Sequence, residues 1–118
     1  MTSAELIVQN QLDAYNNKNL DAWLNTYAEN AIQFSTDGEV LASGHQQMRE
    51  NMRIRFAEPD LHAALINRIV CDNVVIDHEL ITRNFPEGKG TVEMLCIYHI
   101  HNNLIQKGEF KVFNKQLI

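Results

Sequence analysis

The sequence predicts an α+β fold in which helices in the N-terminal half pack on a strongly curved, mostly antiparallel sheet. Two observations predict it. Apolar residues recur at helical spacing as far as Tyr27, and they alternate in long strand-like runs after Pro59. The chain has 118 residues, of which 45% are hydrophobic and 21% are charged, as in ordinary folded proteins. We therefore expect a single domain over residues 1–118.

Two helices are expected at the start of the chain. Thr2 and Glu5 have the spacing of a capping box, in which each side chain satisfies a free backbone N–H. The polar run 16–19 ends the first helix, and Asn19 is a good N-cap for the second. The expected apolar stripes are Ala4, Val8, Leu12 and Tyr15 in the first helix, and Leu20, Trp23, Leu24 and Tyr27 in the second.

A short hairpin and a third helix should follow. Residues 31–35 and 40–42 are strand-like, and the Asp37-Gly38 pair between them favours a tight turn. Gly44 precedes the third helix, and Pro59 ends it because the residue before a proline avoids helical backbone angles. The residues expected to share one face of this helix are Met48, Met52 and Phe56.

Four long strands should make up the rest of the chain. They are expected over residues 61–71, 74–84, 91–101 and 104–113. Strands of about ten residues exceed the usual five or six, and long strands in a small sheet twist and bend. Helices over a curved sheet would enclose a small, mostly apolar pocket.

Charge and composition exclude several kinds of partner. The net charge is −5, and the basic residues are scattered, so neither nucleic acid nor an anionic membrane surface is expected. No apolar run approaches the roughly 18 residues of a membrane-spanning helix, and the first residues do not resemble a secretory signal. Cys71 and Cys96 are interpreted as reduced, buried thiols of a cytoplasmic protein.

Alternation along the strands predicts which side chains face the helices. In 91–101 the apolar face runs from Val92 to Ile100, and in 74–84 the more apolar face contains Ile76, His78 and Leu80. The opposite, mixed faces still hold aliphatic residues, which favours a homodimer through the outer sheet face. Isolated exposed aliphatic residues are the alternative interpretation. The aliphatic residues assigned to the outer face are Val75, Ile81, Leu95 and Ile97.

A few polar side chains are expected among the apolar ones inside. A small-ligand site typically has this composition, although a core with a few hydrogen-bonded polar groups has it as well. His78 is the candidate catalytic acid or base, because an imidazole titrates near neutral pH. If a bulge changed the register, Asp77 or Glu79 would enter the pocket instead. The predicted pocket residues are Gln11, Tyr15, Trp23, Tyr27, Asn67, His78, Tyr98 and Phe110.

Several segments together resemble a known family over nearly the whole chain. They are residues 7–16, Leu20-Asp21-Ala22-Trp23, residues 27–31, Gly44 before a helix, Val75-Ile76-Asp77-His78-Glu79 and Ile97-Tyr98-His99-Ile100. The sequence resembles nuclear transport factor 2-like proteins, and in particular the SnoaL-like, or steroid delta-isomerase-like, branch. The resemblance implies a cone-shaped roll closed by helices and dimeric through its sheet. The family includes ketosteroid isomerase, polyketide cyclases, epoxide hydrolases, dehydratases and members without known activity.

The catalytic set of ketosteroid isomerase is not present. That enzyme uses an aspartate base and an oxyanion hole made by a tyrosine and a protonated acid. The matching positions here hold Gln11 for the tyrosine, Ser35 for the base and, within a residue, Ile97 for the second acid. The resemblance therefore does not imply isomerase activity.

Three functions remain open on the sequence. The first is an enzyme of isomerase, cyclase or hydrolase type, in which His78 moves a proton on a small apolar molecule while Tyr98 and Gln11 orient a carbonyl. The second is a non-catalytic binder of such a molecule, and the third is a dimeric association module. No cofactor is expected. His99 and His101 share a strand face, but a third metal ligand is not evident, so no metal site is expected either.

Overall fold

Residues 1–118 are described by a computed structural model with three helices and one six-stranded sheet. The strand order is β2-β1-β6-β5-β4-β3, and only the β1–β6 pair is parallel. The sheet is curled but does not close, and the predicted α+β class is confirmed. The elements are α1 (Ser3–Asn16), α2 (Leu20–Leu24), β1 (Tyr27–Ser35), β2 (Val40–Ser43), α3 (Gly44–Phe56), β3 (His62–Cys71), β4 (Val74–Phe85), β5 (Gly88–His101) and β6 (Leu104–Leu117).

The helix starts follow from local capping, as the sequence predicts. The Thr2 hydroxyl accepts a hydrogen bond from the Glu5 N–H at 3.1 Å, and the Asn19 side chain accepts one from the Ala22 N–H at 3.1 Å. The second helix is shorter than predicted, because Tyr27 belongs to β1 and not to the helix. The neighbouring strand β6 explains the difference, since Tyr27 lies opposite Ile105 in the parallel pair.

The helices cover the concave face of the sheet, and the core lies between the two layers. Trp23, Tyr27, Tyr98 and Met48 are among its largest fully buried side chains. The rings of Trp23 and Tyr27 have their centroids 4.8 Å apart. Aromatic pairs at this separation stabilise a core beyond the area that they bury. The end of α1 is attached to the sheet by Asn16, whose side chain donates to the Ala63 carbonyl at 2.9 Å and accepts from the Ala63 N–H at 2.8 Å.

The predicted inner face of β5 is confirmed, but that of β4 is wrong. Asp77 and Glu79 are buried inside, whereas His78 and Leu80 lie on the outer face. The register with β5 is the reason, since Asp77 lies opposite Cys96 and Glu79 opposite Met94, and directly opposed residues share a face. Val75 and Ile81, which were assigned to the outer face, are buried with them at 0% and 3% exposure.

A β-bulge in β3 changes which residues of that strand face inward. Leu65 lies opposite Glu79 but Asn67 lies opposite His78, so Ile66 is the extra residue. Leu65 and Asn67 therefore lie on opposite faces, although they are two residues apart. Beyond the bulge, Arg68 lies opposite Asp77 and points inward, while Asn67 points outward.

None of the three helices combines the length and the apolar character that a bilayer crossing requires.

Candidate functional site

A cavity of about 220 Å³ lies between the three helices and the concave face of the sheet. Ten of its fifteen lining residues are hydrophobic, so the space is mainly apolar. This is smaller than the roughly 300–1,000 Å³ of pockets for drug-sized molecules, which limits any occupant to a small molecule. The lining residues are Gln11, Leu12, Tyr15, Trp23, Tyr27, Gln33, Leu41, Asn51, Met52, Arg55, Glu79, Met94, Tyr98, Phe110 and Val112.

The structure brings six of the eight predicted pocket residues around this cavity. They come from α1, α2 and strands β1, β5 and β6. The other two, Asn67 and His78, lie on the opposite side of the sheet and line a groove there. The six residues that surround the cavity are Gln11, Tyr15, Trp23, Tyr27, Tyr98 and Phe110.

Glu79, which the sequence places in the pocket only as the alternative to His78, lines the cavity. It is 2% exposed, and its Oε1 lies 3.7 Å from the Cys96 sulfur, which donates to it. Its Oε2 has no hydrogen-bond partner in the protein. Burial and, to a lesser extent, the negative charge of Asp77 raise the pKa of Glu79 from its ordinary value of 4.5 to about 7, against the lowering effects of the Cys96 hydrogen bond and of Arg68. A carboxyl group with this pKa can both give and take a proton near neutral pH.

A signal for Glu79 was present in the turn before β5. Phe85 lies opposite Gly88, so Pro86 and Glu87 form a two-residue hairpin connection. Loop length sets hairpin register. A two-residue turn at this point would have placed Glu79 opposite Met94, on the predicted inner face of β5. The predicted strands 74–84 and 91–101 leave residues 85–90 between them, and a connection of that length does not fix the register.

Two more polar atoms in the cavity walls lack partners. They are Gln11 Oε1 and Trp23 Nε1, and with Glu79 Oε2 they make up the buried side-chain nitrogen and oxygen atoms without a hydrogen bond. Buried polar groups are nearly always paired, so each such atom needs an explanation. All three belong to residues that line one cavity. A bound molecule with its own polar atoms would pair them.

The tyrosines of the cavity remain protonated at neutral pH. Burial raises the pKa of Tyr15 to about 12, and it raises the pKa of Tyr98 well above its ordinary value. Burial likewise raises the pKa of Tyr27, whose hydroxyl oxygen accepts a hydrogen bond from Gln33 at 3.4 Å. These phenols can therefore donate hydrogen bonds but cannot act as bases.

Asp77, next to Glu79 in the same strand, is fully occupied by Arg68. The Arg68 Nε donates to Asp77 Oδ1 at 2.7 Å, and its Nη2 donates to Oδ2 at 2.9 Å. Arg68 also donates to the Gln9 side chain at 2.8 Å and lies 4.0 Å from Glu5, both in α1. Asp77 does not line the cavity. Its chemical effect is to keep a negative charge near Glu79.

His78 lies on the outer face of the sheet, so the prediction that it faces the interior is wrong. Its Nε2 is 2.7 Å from Glu93 Oε1, and its ring stacks on Phe113 with centroids 6.0 Å apart. The side chain is 34% exposed. It lines an outer groove of about 440 Å³, which is formed by Asn67, Ile69, Ile76, His78, Leu95, Lys111 and Phe113.

Metal ligands are not assembled in this structure. No three His, Cys, Asp or Glu side chains lie close enough together to hold an ion. His99 is paired with Glu109 at 2.7 Å. The two cysteines are not joined, and Cys71 is exposed, contrary to the expectation that both are buried.

Comparison with solved structures shows the same fold in several proteins. A cystatin-fold protein from Novosphingobium aromaticivorans is 20% identical with a TM-score of 0.84, covering 94% of this chain and 98% of its own. An NTF2-like protein of unknown function from Burkholderia pseudomallei is 14% identical with a TM-score of 0.84, covering 96% and 92%. A hypothetical protein with a ketosteroid isomerase-like fold from Catenulispora acidiphila, in complex with trimethylamine, is 14% identical with a TM-score of 0.76, covering 89% of this chain and 83% of its own.

Sequence comparison identifies the family. No curated protein matches the chain. Residues 8–107, which include Glu79 and nearly all of the cavity lining, match the SnoaL-like domain. The fold agrees with this match. The chain therefore belongs to the SnoaL-like family of the nuclear transport factor 2-like superfamily.

Proposed function

We propose that this protein is an enzyme that moves a proton on a small, mainly apolar molecule held in the internal cavity, with Glu79 as the acid or base. The observation that carries the proposal is the position of Glu79. Glu79 lines the cavity, and its buried Oε2 has no partner in the protein. A catalytic carboxyl group must be able to reach the proton that it transfers, and an oxygen that no protein group occupies is free to pair with a molecule in the cavity.

The surroundings of Glu79 fit reactions next to a carbonyl group. In its ionised form Glu79 would accept a proton from the carbon beside the carbonyl. The phenols of the cavity and the Trp23 N–H would stabilise the negative charge that develops on the carbonyl oxygen. Return of the proton to another carbon completes an isomerisation, and attack of the carbanion on a second carbonyl gives a cyclisation. An isomerase, a cyclase or a hydrolase-type enzyme would use the same carboxylate and the same hydrogen-bond donors.

This proposed chemistry differs from that of ketosteroid isomerase in its residues. Ser35, at the position of that enzyme's base, does not line the cavity, and its hydroxyl accepts from the Glu39 N–H at 3.2 Å. Ile97 lies on the outer face, opposite Ile76. Glu79 therefore supplies acid–base chemistry from a different strand position.

A non-catalytic binder is the second candidate. The same unpartnered atoms of Gln11, Trp23 and Glu79 would hold a ligand without changing it. The relative from Catenulispora acidiphila was solved with trimethylamine, which shows that a protein with this fold can take up a small molecule. The two candidates differ in whether the bound molecule is converted.

The test uses 5-nitrobenzisoxazole, a small neutral molecule from which a base removes one carbon-bound proton. The departing electron pair then breaks the N–O bond and releases a coloured phenolate. We expect turnover that rises with pH through about 7, since the ionised Glu79 is the base. Glu79→Gln should lower the rate at least about 100-fold. His78→Gln is the matched variant, because it changes the adjacent residue on the other face.

The outcomes separate the candidates. Equal rates for the wild type and Glu79→Gln would rule out Glu79 as the base. Trp23 is the only tryptophan, so its fluorescence reports whether the probe enters the cavity. Binding without any release of phenolate would favour the non-catalytic binder.

We also propose a homodimer formed through the outer sheet face. This face exposes Ile69 by 50%, Leu80 by 39% and Phe113 by 37%, around the outer groove. Contiguous apolar surface of this kind usually marks an interface, and most homo-oligomers are two-fold dimers. Lys111 lines the groove, and Glu93 contacts His78 there, so a second copy could pair the ammonium with the carboxylate across the two-fold axis. A cytoplasmic location stays a prediction of the sequence.

Sedimentation equilibrium tests the dimer. The wild type should sediment at twice the chain mass, and Leu95→Lys should sediment as a monomer, since it places a charge in the groove. A monomeric wild type at micromolar concentration would contradict the proposed interface. A dimeric association module would need the exposed outer sheet face as well.

A further inference from the structure

Arg55 is the one cation in the wall of the internal cavity. It and Glu79 are the only charged residues that line this space. Arg55 lies in the last turn of α3, one helical turn after Asn51, which also lines the cavity. Residues four apart share a helix face, so both side chains lie on the side of α3 that borders the cavity. The Arg55 side chain is 41% exposed, which places it at the mouth, whereas Glu79 is 2% exposed.

The guanidinium of Arg55 is only weakly occupied by the protein. Its Nε lies 3.4 Å from Glu58 Oε2. The carboxylate of Glu58 is already held by Arg83, with contacts of 2.8 and 2.9 Å, and it accepts from the Asn84 N–H at 2.8 Å. Two guanidinium groups therefore share one carboxylate. The terminal nitrogens of Arg55 are available to a second anion, and a carboxylate matches their spacing.

The charge of Arg55 acts on the cavity interior. Burial raises the pKa of Tyr15, and Arg55 is the strongest influence that lowers it. Glu79 is affected differently, since its pKa is raised by burial and by Asp77, and Arg68 is the cation that opposes them. Arg55 thus acts on Tyr15, whereas Arg68 is the cation that acts on Glu79. The cavity wall carries one partly exposed cation, Arg55, and one buried carboxyl group, Glu79, among ten hydrophobic residues.

We propose that the molecule bound in this cavity is a small hydrophobic carboxylic acid whose carboxylate pairs with Arg55 at the mouth. The inference rests on the proposed function, because it assigns the substrate class of the Glu79 site. The carboxylate is the group that orients the molecule and is not the group that reacts. The apolar body of the acid fills the space between α1 and the sheet, and the reacting carbon of the acid lies beside Glu79.

The experiment compares phenylacetate with phenylacetamide, which has nearly the same shape but no charge. Binding is followed by the fluorescence of Trp23 at pH 6. At this pH phenylacetate is ionised, and Glu79, with a pKa of about 7, is mostly neutral. The phenylacetate should bind about fivefold more tightly than the amide, as expected for a partly exposed ion pair.

Variants of α3 assign this preference to Arg55. Arg55→Gln should remove the fivefold preference, mainly by weakening the binding of phenylacetate. Arg55→Lys should keep part of the preference, since the charge remains but the two-point geometry is lost. Arg53→Gln is the matched control, because Arg53 is exposed on the same helix and does not line the cavity. The control should bind both probes as the wild type does.

Three results would overturn the carboxylate assignment. They are equal affinities for the two probes, a preference that survives in Arg55→Gln, and no binding of phenylacetate to the wild type. None of them affects the elimination reaction, because 5-nitrobenzisoxazole carries no charge for Arg55 to hold. Conversely, if Glu79→Gln eliminates as fast as the wild type while the phenylacetate preference holds, only the proposed role of Glu79 fails.

Discussion

Arg68 and Asp77, opposite each other in β3 and β4, form an ion pair through two hydrogen bonds of 2.7 and 2.9 Å. The Asp77 side chain is 0% exposed and that of Arg68 is 8% exposed, so both charges are removed from water. Removing one partner of such a pair leaves an uncompensated buried charge. Each member of the pair therefore compensates the buried charge of the other.

Asp77→Asn should lower the free energy of unfolding by about 3 kcal/mol, because Arg68 stays buried with only part of its charge compensated. The measurement is urea denaturation at pH 7. The double variant Arg68→Met with Asp77→Leu should lose clearly less than Asp77→Asn alone, since apolar side chains of similar volume can replace a buried ion pair. Additive losses in the double variant would contradict this account.

Glu79 should make the protein less stable as pH rises. Burial raises its folded-state pKa from 4.5 to about 7, so between these values the folded chain binds more protons than the unfolded chain. Its stabilising effect is complete below about pH 4.5 and is lost as pH rises through 7. The loss in the free energy of unfolding over this pH range is about 3 kcal/mol, at roughly 1.4 kcal/mol for each pKa unit. Urea denaturation at several pH values from 4.5 to 8 measures this loss as the difference in unfolding free energy between the wild type and Glu79→Gln.

Other carboxyl groups are the same in both proteins, so the difference isolates Glu79. The variant should become more stable relative to the wild type as pH rises. A difference that does not change with pH would show that Glu79 has an ordinary pKa in the folded state.

Gly90→Ala should weaken the end of the sheet. A Cβ at this position would lie 3.2 Å from the Leu117 Cα and still closer to the carbonyl oxygen of Gln116. Both are backbone atoms of β6, which cannot move aside as a side chain can. We expect a loss of about 2 kcal/mol in unfolding free energy, with faster amide exchange at residues 116 and 117. The exposed neighbour variant Lys89→Ala should stay within about 0.5 kcal/mol of the wild type.

Asn16→Ala should weaken the attachment of α1 to the sheet. The Asn16 amide replaces a strand partner for Ala63, with hydrogen bonds of 2.9 and 2.8 Å. Removing both bonds leaves a partly buried backbone N–H and C=O unpaired, at a cost of about 2 kcal/mol. Thermal denaturation measures this loss. Asn17→Ala, at an exposed position beside it, is the control, and an equal loss there would contradict the assigned role of Asn16.

The elements of this fold could be predicted because their signals are local. Thr2 and Asn19 cap the helices that follow them, and Pro59 lies just beyond the end of α3. The six pocket residues on α1, α2, β1, β5 and β6 could also be predicted, since each belongs to a face whose apolar pattern is unambiguous. No distant part of the chain was needed for these assignments.

The position of the acid–base group could not be predicted in the same way. Both faces of β4 carry aliphatic residues, so alternation alone favours the face with fewer charges and places His78 inside. Two non-local facts decide otherwise. Arg68 comes from another strand to compensate Asp77, and the register across the β4–β5 turn places Glu79 opposite Met94. The side of the sheet that a charged residue occupies thus depended on its partner and not on its neighbours in sequence.

The bulge at Ile66 has a consequence for how the length of this chain can vary. Deleting Ile66 would make Leu65 and Asn67 direct neighbours, so β3 would become regular and each remaining residue would keep its partner in β4. Arg68 would stay opposite Asp77, and both buried charges would stay paired. A chain that is one residue shorter at this point could therefore keep the same core. We expect natural deletions to be tolerated at Ile66, whose side chain is 53% exposed.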